Sequence, residues 1–414
     1  MPTQREPTKR DTSRRDFLKT AGAAGAAAVA APYVITSDAL GNQDRAPASD
    51  RIVMGGIGIG NMGRGDQNAF LGRGDVQYVA VCDVRKSHVN PAKGKVDGKY
   101  QNKDCTAYND FRELLAREDI DAVHVATPDH WHAIQVIEAC RNGKDVYCQK
   151  PESRTLAEGP LMVEAARRYS RVVSGGSQRV LGDYRGVVNK CWGGEIGNVK
   201  SINVNVGPLS QHCNLPAEET PDDIDWELWL GPAPWAPYNS KRCSGSFSTG
   251  GNSWRSYIDY SGGGMTDWGA HHFGGATFAV DVRELQPEKV TLHNDNGKRW
   301  LEFQYSNGIA ITHNKPGQGN LHVEGDGNKK EAKPVPVYKG GGNIYGDFIE
   351  CVKSREKPFR DIEFAVNTMA VPLIGIVAYS LDRSLTWDSE KQMFTGDEEA
   401  NRYLDRARRE PWQI

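Results

Sequence analysis

The sequence predicts an α/β protein, in which a doubly wound parallel sheet is followed by a second α/β domain with an open, mainly antiparallel sheet. Three observations support this fold class. An apolar run at 53–57 leads directly into a glycine-rich turn. Strand-like and helix-like patterns then alternate as far as residue 175, which is typical of a parallel sheet with right-handed crossovers. Beyond about residue 178, the later strand-like segments follow one another without helices between them, which favours antiparallel pairing.

The glycine-rich turn reads Gly58-x-Gly60-x-x-Gly63, and Asn61 and Met62 stand between the last two glycines. Gly58 permits a tight turn, Gly60 lets a pyrophosphate approach the backbone, and Gly63 lets a helix pack on its strand. The N-terminus of that helix would direct free amides at the phosphates. The pattern predicts a Rossmann dinucleotide-binding domain. The alternative is a strand–helix turn that binds no ligand.

A second apolar run, Val76–Cys82, ends at Asp83, where a carboxylate is expected to meet the adenosine ribose. Asp83 favours NAD, because it would repel the 2′-phosphate of NADP. Arg85 and Lys86 follow at once and could offset that repulsion, so NADP stays open.

The other elements are assigned from the same periodicities and from turn residues. In the first domain we expect a helix and loop at 84–105, strands at 121–127, 145–148 and 171–175, and helices at 108–116, 131–142 and 156–169. In the second we expect strands at 200–206, 289–293, 299–305 and 310–313, and helices at 344–353 and 363–381. Residues 225–260 are rich in Trp, Tyr, Pro and Ser, a composition that either lines a substrate cleft or forms a packed surface loop.

The N-terminus predicts an exported protein. Arg14 and Arg15 precede a run of small residues at 20–31, and this resembles a twin-arginine export signal with a cleavage site at 28–30. A disordered basic tail is the alternative. The expected organisation is a signal peptide at 1–31, a linker at 32–50, a dinucleotide-binding domain at 51–176 and a substrate-binding and oligomerisation domain at 177–414. The expected location is the periplasm, and the expected partner is the twin-arginine export machinery.

The charge and cysteine content limit the classes of partner that we expect for this protein. The net charge is −2 and no basic run is present, so we expect no nucleic acid and no membrane partner for the mature form. After the N-terminus we expect no apolar stretch long enough to span a bilayer. Of eight cysteines, Cys82, Cys140 and Cys148 fall at apolar positions and are expected to be core thiols, and Cys213 and Cys243 lie in loop-like sequence and could pair. No metal site is expected.

Asp267 and His271 are four residues apart, so they would share one face of a helix that Thr266 caps. A histidine beside a carboxylate can accept the proton of a hydroxyl while the carbon gives up a hydride. Lys150, at the end of a strand, could orient that hydroxyl and stabilise developing oxyanion character. A surface pair is the alternative for Asp267 and His271. A metal held with His272 is not expected, since adjacent helical residues point about 100° apart.

Several landmarks together resemble the Gfo/Idh/MocA oxidoreductase family, in its exported twin-arginine branch. They are the glycine turn, Asp83, Ala126-Thr127-Pro128-Asp129-His130-Trp131-His132, Gln149-Lys150-Pro151, the stretch 262–272, the stretch 380–388 and Pro411-Trp412. The resemblance implies NAD(P) bound between a Rossmann domain and a C-terminal α/β domain, a sugar or polyol substrate, and Lys150, Asp267 and His271 as the catalytic group.

The same resemblance implies cofactor contacts from Thr127, Pro128, His130, His132 and Lys150, together with Gly58, Gly60, Asn61, Met62, Gly63, Asp83 and Arg85. Weaker candidates for sugar contacts are Tyr184, Trp254, Arg255, Tyr257 and His272, because aromatic rings stack on a pyranose and polar groups bind its hydroxyls.

Two departures from the family pattern stand out. Gln149 occupies the position where the family usually has glutamate, a change that we do not read as loss of function. The stretch 262–272, which ends in His271-His272, also runs directly into Phe273-Gly274-Gly275. This predicts a short helix and an abbreviated sheet after it.

The function expected from these features is hydride transfer between a carbohydrate and NAD(P). The alternatives are an NAD-dependent glycosidase with a redox-neutral cycle, and a carbohydrate-binding protein without turnover. Because an exported enzyme has no free nicotinamide pool to draw on, we expect the cofactor to travel inside the folded protein and to stay bound. An exposed apolar sheet face is expected to favour a homo-oligomer.

Overall fold

The computed structural model describes residues 41–42, 45–247 and 253–414. The predicted signal peptide at 1–31 therefore lies outside the described residues. Within the predicted linker, Ala48–Asp50 forms a short 3-10 helix.

The first sheet has six parallel strands in the order β3-β2-β1-β4-β5-β6. Its strands are β1 (Ile52–Ile57), β2 (Val76–Cys82), β3 (Thr106–Tyr108), β4 (Ala122–Val125), β5 (Asp145–Cys148) and β6 (Val173–Gly175). Its helices are α1 (Asn61–Leu71), α2 (Lys86–Tyr100), α3 (Phe111–Leu115), α4 (Asp129–Arg141) and α5 (Glu158–Arg168). This order reverses between β1 and β4, as a Rossmann fold requires, and confirms the predicted class. The three-residue β3 was missed because so short an edge strand carries little periodicity.

The second sheet has seven strands in the order β11-β7-β10-β9-β8-β12-β13. They are β7 (Val199–Val204), β8 (Lys289–Asp295), β9 (Lys298–Gln304), β10 (Ala310–His313), β11 (His322–Gly325), β12 (Leu385–Asp388) and β13 (Met393–Phe394). The later helices are α6 (Arg185–Trp192), α7 (Trp226–Leu230), α8 (Gly264–Asp267), α9 (Gly269–Ala279), α10 (Ile344–Ser354), α11 (Ile362–Leu381) and α12 (Glu398–Asn401). Only the β7–β10 pair is parallel among these described strands, so the sheet is mainly antiparallel as predicted.

The prediction of a short helix and an abbreviated sheet after the stretch 262–272 was wrong. Helix α9 continues for 11 residues through Gly274 and Gly275, and the sheet that follows is complete. The two glycines are packing positions, because a Cβ on Gly275 would lie 2.5 Å from the Tyr184 ring and one on Gly274 would lie 2.9 Å from Arg360. A glycine pair that closes a helix and one that admits a neighbour look the same in sequence.

The inner face of the second sheet is apolar, and Ile202, Leu301 and Phe303 are fully buried there in one cluster with residues of α9 and α11. The alternate positions on the outer face are polar, and they hydrogen-bond across the sheet. Thr312 Oγ1 donates to Asn203 Oδ1 at 2.9 Å, for example. The premise of an exposed apolar sheet face was therefore wrong, and the homo-oligomer stays a prediction without that support.

Helix α11 corrects the expectation that no later segment is long enough for a membrane. Its 20 residues pass the length and hydropathy test for a span, and 67% of its most apolar window is buried inside the fold. It packs against α5, α9 and strands of both sheets, including β6 and β8. A core helix covered on several sides is apolar all round for the same reason as a membrane helix.

All eight cysteines are free thiols. Cys82, Cys140 and Cys148 are buried, as predicted for core positions. Cys213 and Cys243 do not form a disulfide and instead belong to an aromatic cluster described below.

Candidate active site

A cleft of about 420 Å³ lies at the carboxyl edge of the first sheet, where the strand order reverses. It is lined by Gly58, Gly60, Asn61 and Met62 after β1, Asp83 and Arg85 after β2, Thr127 and Pro128 after β4, Gln149 and Lys150 after β5, residues 243–246, and Trp254 and Arg255. Parallel strands bring their carboxyl ends to one edge, which explains why residues so far apart in sequence share this cleft.

Each of the three glycines of the turn occupies its position for a different structural reason. Gly58 has φ +81°, and a Cβ there would lie 2.7 Å from backbone atoms of Ala126 and Thr127. A Cβ on Gly63 would lie 1.8 Å from the carbonyl oxygen of Gly58. Beside Gly60 the space is open, with only the His88 ring within 4 Å, at 3.7 Å. A phosphate could therefore approach the backbone at Gly60, next to the first turn of the 11-residue α1.

Asp83 holds the two loops that form the ribose end of the cleft. One carboxylate oxygen accepts the backbone N–H of Ile59 at 2.8 Å, and the other accepts that of Arg85 at 2.9 Å. His88 Nδ1 lies 3.2 Å from the first of these oxygens. A carboxylate thus lies at the strand end where a ribose hydroxyl is expected, and it also orders the turn around it.

Residues 222–246, which we call the strap, lie across this end of the cleft. Ser87 Oγ donates to Asp223 Oδ2 at 2.7 Å, and Asn61 Nδ2 donates to the Gly245 carbonyl at 2.6 Å. The strap also engages both cations after β2, since Arg85 Nη1 lies 3.5 Å from Asp223 and Lys86 Nζ donates to the Asp222 carbonyl at 2.8 Å.

The aromatic residues of the strap mostly pack on one another. Trp226 and Trp229 stack with ring centroids 4.8 Å apart, and Tyr238 and Tyr260 complete the buried cluster. The cleft is lined by Leu228 and Trp229 of the strap and by its polar end at 243–246. Both interpretations of the aromatic composition thus hold in part: the rings make a packed cluster, and the backbone beyond them faces the cleft.

Lys150 joins the cleft to a second group of polar side chains. Its Nζ lies 2.5 Å from Asp267 Oδ1 and donates to the Asp267 carbonyl at 3.0 Å. Arg255 Nε lies 3.4 Å from the same carboxylate oxygen. Asp267 is therefore a buried carboxylate between two cations, both of which line the cleft.

His271 makes a separate pair with Ser177, which follows β6. Its Nδ1 lies 2.8 Å from Ser177 Oγ. Burial lowers the pKa of His271 well below its usual value, and the charges of Lys150 and Arg179 lower it further. The imidazole is therefore neutral at neutral pH, and the Ser177 contact fixes its orientation.

The expectation that Asp267 orients His271 on one helix face was wrong. Thr266 does not cap a helix: α8 begins at Gly264, and Thr266 Oγ1 accepts the Gly262 N–H at 3.1 Å. Asp267 ends α8, whereas His271 belongs to α9. Ser177 has the orienting contact, and nothing in its local sequence distinguishes it from an ordinary loop serine.

His130 and His132 are also not where the resemblance put them. Both are 1% exposed, and neither is among the described residues that line the cleft. His132 lies between the Pro151 carbonyl, 2.7 Å from Nδ1, and the Thr127 carbonyl, 2.9 Å from Nε2. His130 Nε2 lies 3.1 Å from the Trp229 carbonyl. These histidines therefore stabilise the loops that line the cleft through contacts with backbone carbonyls, and their side chains lie outside the cleft.

The neighbouring Asp129 is a buried carboxylate that the sequence analysis did not single out. Burial raises its pKa to about 6, against the charge of His132, and the charges of Asp267 and Lys150 act on it as well. It therefore lies in the electrostatic field of the Lys150–Asp267 pair.

The candidate sugar contacts divide into two groups. Trp254 and Arg255 line the cleft, and the Arg255 guanidinium lies 4.1 Å from the Trp254 ring centroid. Tyr184 and Tyr257 are buried, at 7% and 3% exposure. His272 lies against Tyr184, with centroids 5.4 Å apart, and contacts Asn320.

Gln149 has a specific partner. Its Nε2 donates to both oxygens of Asp66, at 2.9 and 3.0 Å, and Tyr345 Oη donates to Asp66 at 2.9 Å. Burial raises the pKa of Asp66 to about 7, although both hydrogen bonds oppose the shift. A buried carboxylate thus stands directly behind a residue of the cleft.

The Rossmann order, the glycine turn and the polar group at the strand ends define a dinucleotide-binding oxidoreductase fold. Family models for the oxidoreductase family match here, as its NAD-binding Rossmann fold at 52–177 and its C-terminal alpha/beta domain at 206–414. The chain belongs to the Gfo/Idh/MocA oxidoreductase family. A twin-arginine translocation pathway signal sequence matches at 11–31, which confirms the prediction of export.

The chain is similar to curated relatives and to solved structures. A "Glycosyl hydrolase family 109 protein" of Shewanella baltica strain OS185 is 31% identical over 169 residues, which are 37% of each chain. The chain therefore aligns with just over a third of the length of such relatives.

Among solved structures, the WlbA dehydrogenase of Bordetella pertussis in complex with NADH and UDP-GlcNAcA has a TM-score of 0.58 at 17% identity, covering 82% of this chain and 98% of that one. The aldose-aldose oxidoreductase of Caulobacter crescentus has a TM-score of 0.54 at 15% identity, covering 81% and 99%. These similarities concern the fold.

Proposed function

We propose that the protein is an NAD-dependent oxidoreductase that acts on a sugar, a polyol or a related carbohydrate by hydride transfer. One observation carries the proposal: Lys150 lines the cleft and bonds Asp267 at 2.5 Å. A charged pair suited to holding a reacting hydroxyl thereby adjoins a cleft whose residues fit a dinucleotide.

The residues of the cleft fit that cofactor. The open backbone at Gly60 and the strained turn at Gly58 suit a pyrophosphate, and Asp83 suits a ribose diol. NAD is favoured over NADP because Arg85 and Lys86 are already engaged by the strap and Asp83 would repel a 2′-phosphate.

The bound nicotinamide would supply the hydride acceptor. Lys150 would hold the reacting hydroxyl and stabilise negative charge on its oxygen as the carbon is oxidised. Neutral His271 would accept the proton at Nε2, while its Nδ1 stays on Ser177. Asp267 would hold Lys150 in place through their ion pair.

The test is oxidation of a sugar and polyol panel by NAD-loaded protein, with a second sugar present as the hydride acceptor that reoxidises the bound NADH in each cycle. We expect Lys150→Ala and His271→Ala to lower kcat/KM by about 10²-fold or more, as loss of general acid–base catalysis does. His322→Ala, on the exposed β11, is the matched control and should leave kcat/KM unchanged. Activity of both site variants close to wild type would sink the assignment.

A second candidate is an NAD-dependent glycosidase, in which oxidation, elimination, water addition and reduction return the cofactor to its starting state. Two observations favour it. Lys150–Asp267 and Ser177–His271 are two separate pairs, and such a cycle needs proton transfer at two positions. The Shewanella relatives also carry a glycosyl hydrolase name. Release of p-nitrophenol from p-nitrophenyl glycosides without net NADH would support this candidate, and formation of an oxidised sugar without release of p-nitrophenol would support the first. Sugar binding without either reaction would indicate a carbohydrate-binding protein.

We also infer that the cofactor is retained during turnover. The strap contacts the Rossmann residues around the cleft at Asn61, Arg85 and Ser87, so release would require these contacts to open. The twin-arginine pathway exports folded proteins, so the cofactor could be inserted before export. A cofactor that binds only the folded state also stabilises that state. Protein purified from the periplasm and dialysed extensively should keep its nicotinamide absorbance. An empty protein that consumes added NAD in step with product would refute retention.

A further inference from the structure

An exposed tryptophan lies beside the proposed proton-transfer groups. Trp268 follows Asp267 directly and is 40% exposed, whereas Asp267 and His271 are 4% and 5% exposed. Its ring centroid lies 5.9 Å from that of His271, in an edge-to-face arrangement. The described chain therefore leaves a large aromatic surface in water at the outer side of the site.

Polar groups surround this ring. The Arg179 guanidinium lies 5.0 Å from its centroid and is held by an ion pair with Asp183. The His272 ring lies 5.9 Å away and contacts Asn320. The Arg179 guanidinium lies over one face of the indole. The exposed remainder of the ring suits a pyranose, which offers an apolar C–H face and a ring of hydroxyls, and the guanidinium could bind those hydroxyls.

The order of groups indicates which sugar would lie there. The cleft reaches Lys150, and Lys150 bonds Asp267. The next residue of the chain, Trp268, is 40% exposed, and its ring centroid lies 5.9 Å from that of His271. A carbon that reacts between Lys150 and His271 belongs to a ring on the inner side of Trp268. A ring stacked on Trp268 is then a further unit of the same substrate.

We propose that Trp268 and Arg179 form a stacking platform for a second sugar unit, so that the substrate is a glycoside of two or more units. This proposal rests on the proposed function and narrows its substrate class. In this proposal the accessible ring of Trp268 makes the sugar contact that the sequence analysis expected from Tyr184 and Tyr257, which are buried.

The experiment compares small and extended substrates in NAD-loaded wild type, Trp268→Ala and Trp268→Phe. The probes are methyl glucosides and methyl galactosides of both anomers, and maltose, cellobiose and lactose. We expect Trp268→Ala to raise KM for the disaccharides about tenfold, the size of a lost aromatic contact, with kcat nearly unchanged. KM for the methyl glycosides should stay near wild type, and Trp268→Phe should recover part of the loss.

The matched control is Tyr403→Ala, because Tyr403 is an aromatic residue of similar exposure, 46%, that lies outside both the proposed site and the strap. It should leave every KM unchanged. Nicotinamide absorbance and the unfolding midpoint check that each variant is folded and loaded.

Three outcomes would overturn the platform: equal KM changes for small and extended probes, no change for either, or a changed sedimentation coefficient with unchanged sugar affinity. The last would make Trp268 a subunit contact. If wild type turns over no probe, the proposed reaction fails by itself. The platform is then judged by calorimetry, where Trp268→Ala must weaken binding of the disaccharides selectively, and absent or unselective weakening overturns it.

Discussion

Asp66 predicts how the stability of this protein depends on pH. It is fully buried, and its carboxylate receives hydrogen bonds from Gln149 and Tyr345. Burial nevertheless raises its pKa from 3.8 to about 7, so the fold favours the protonated form. Asp66→Asn replaces that form with a neutral amide of the same shape. The substitution should therefore remove a pH dependence while keeping the packing.

Proton linkage gives the sign and the size of the contribution of Asp66 to the free energy of unfolding. The folded state binds the Asp66 proton more tightly than the unfolded state, so this group favours folding below about pH 4 and its contribution is lost as the pH rises through about 7. The shift covers about three pH units, and each unit corresponds to about 1.4 kcal/mol, so up to about 4 kcal/mol is at stake. Asp66→Asn should thus gain stability relative to wild type with increasing pH.

Urea unfolding at pH 5, 6, 7 and 8 measures this difference. Asp75→Asn is the matched control: although burial opposes it, Arg73 and Lys353 hold the pKa of Asp75 below its usual value. That carboxylate is ionised in both states across this range, so its effect should be constant. A free-energy difference between wild type and Asp66→Asn that is equally constant would show that Asp66 is ionised throughout, and the reasoning would fail.

Three further predictions concern the cleft. Gly58→Ala should weaken NAD binding about tenfold or more in calorimetric titration, because the residue has φ +81° and its Cβ would lie 2.7 Å from the Ala126 carbonyl carbon; unchanged affinity would contradict it. Lys150→Met should raise the pKa of His271 towards its usual value in an NMR titration, since the lysine charge helps to lower it; a fall would reverse the argument. Asp223→Ala should release NAD about tenfold faster on dialysis, because it frees the strap from Ser87, and equal retention would count against the strap.

Local rules explain what the sequence could predict. The turn from β1 to α1 is marked by three glycines within six residues, and Asp83 follows the next strand. The alternation of strands and helices to residue 175 predicted five of the six strands of the parallel sheet for the same reason. Each of these features rests on short-range sterics and periodicity.

The site depends on contacts between residues that are far apart in sequence. Lys150 and Asp267 are 117 residues apart, and Ser177 and His271 are 94 apart. The chemistry of Lys150, Asp267 and His271 was visible from residue type, but their pairing was not, because it follows from where two domains' elements meet. The buried braces His130 and His132 were misassigned for the converse reason, since a histidine after a strand looks alike whether it faces a ligand or a backbone carbonyl.

The departure at Gln149 can now be understood from its neighbour. A glutamate there would place a second carboxylate at about 3 Å from the oxygens of Asp66, in a site that already disfavours one charge. Two carboxylates at that separation cannot both ionise, and one would have to stay protonated. Glutamine avoids this, because its amide donates to both Asp66 oxygens and leaves the backbone of Lys150 in place. The carboxylate of this region is thus carried by α1 instead of by the end of β5. Glutamine before Lys150 is what Asp66 requires, so the altered motif is compatible with the proposed role of the lysine.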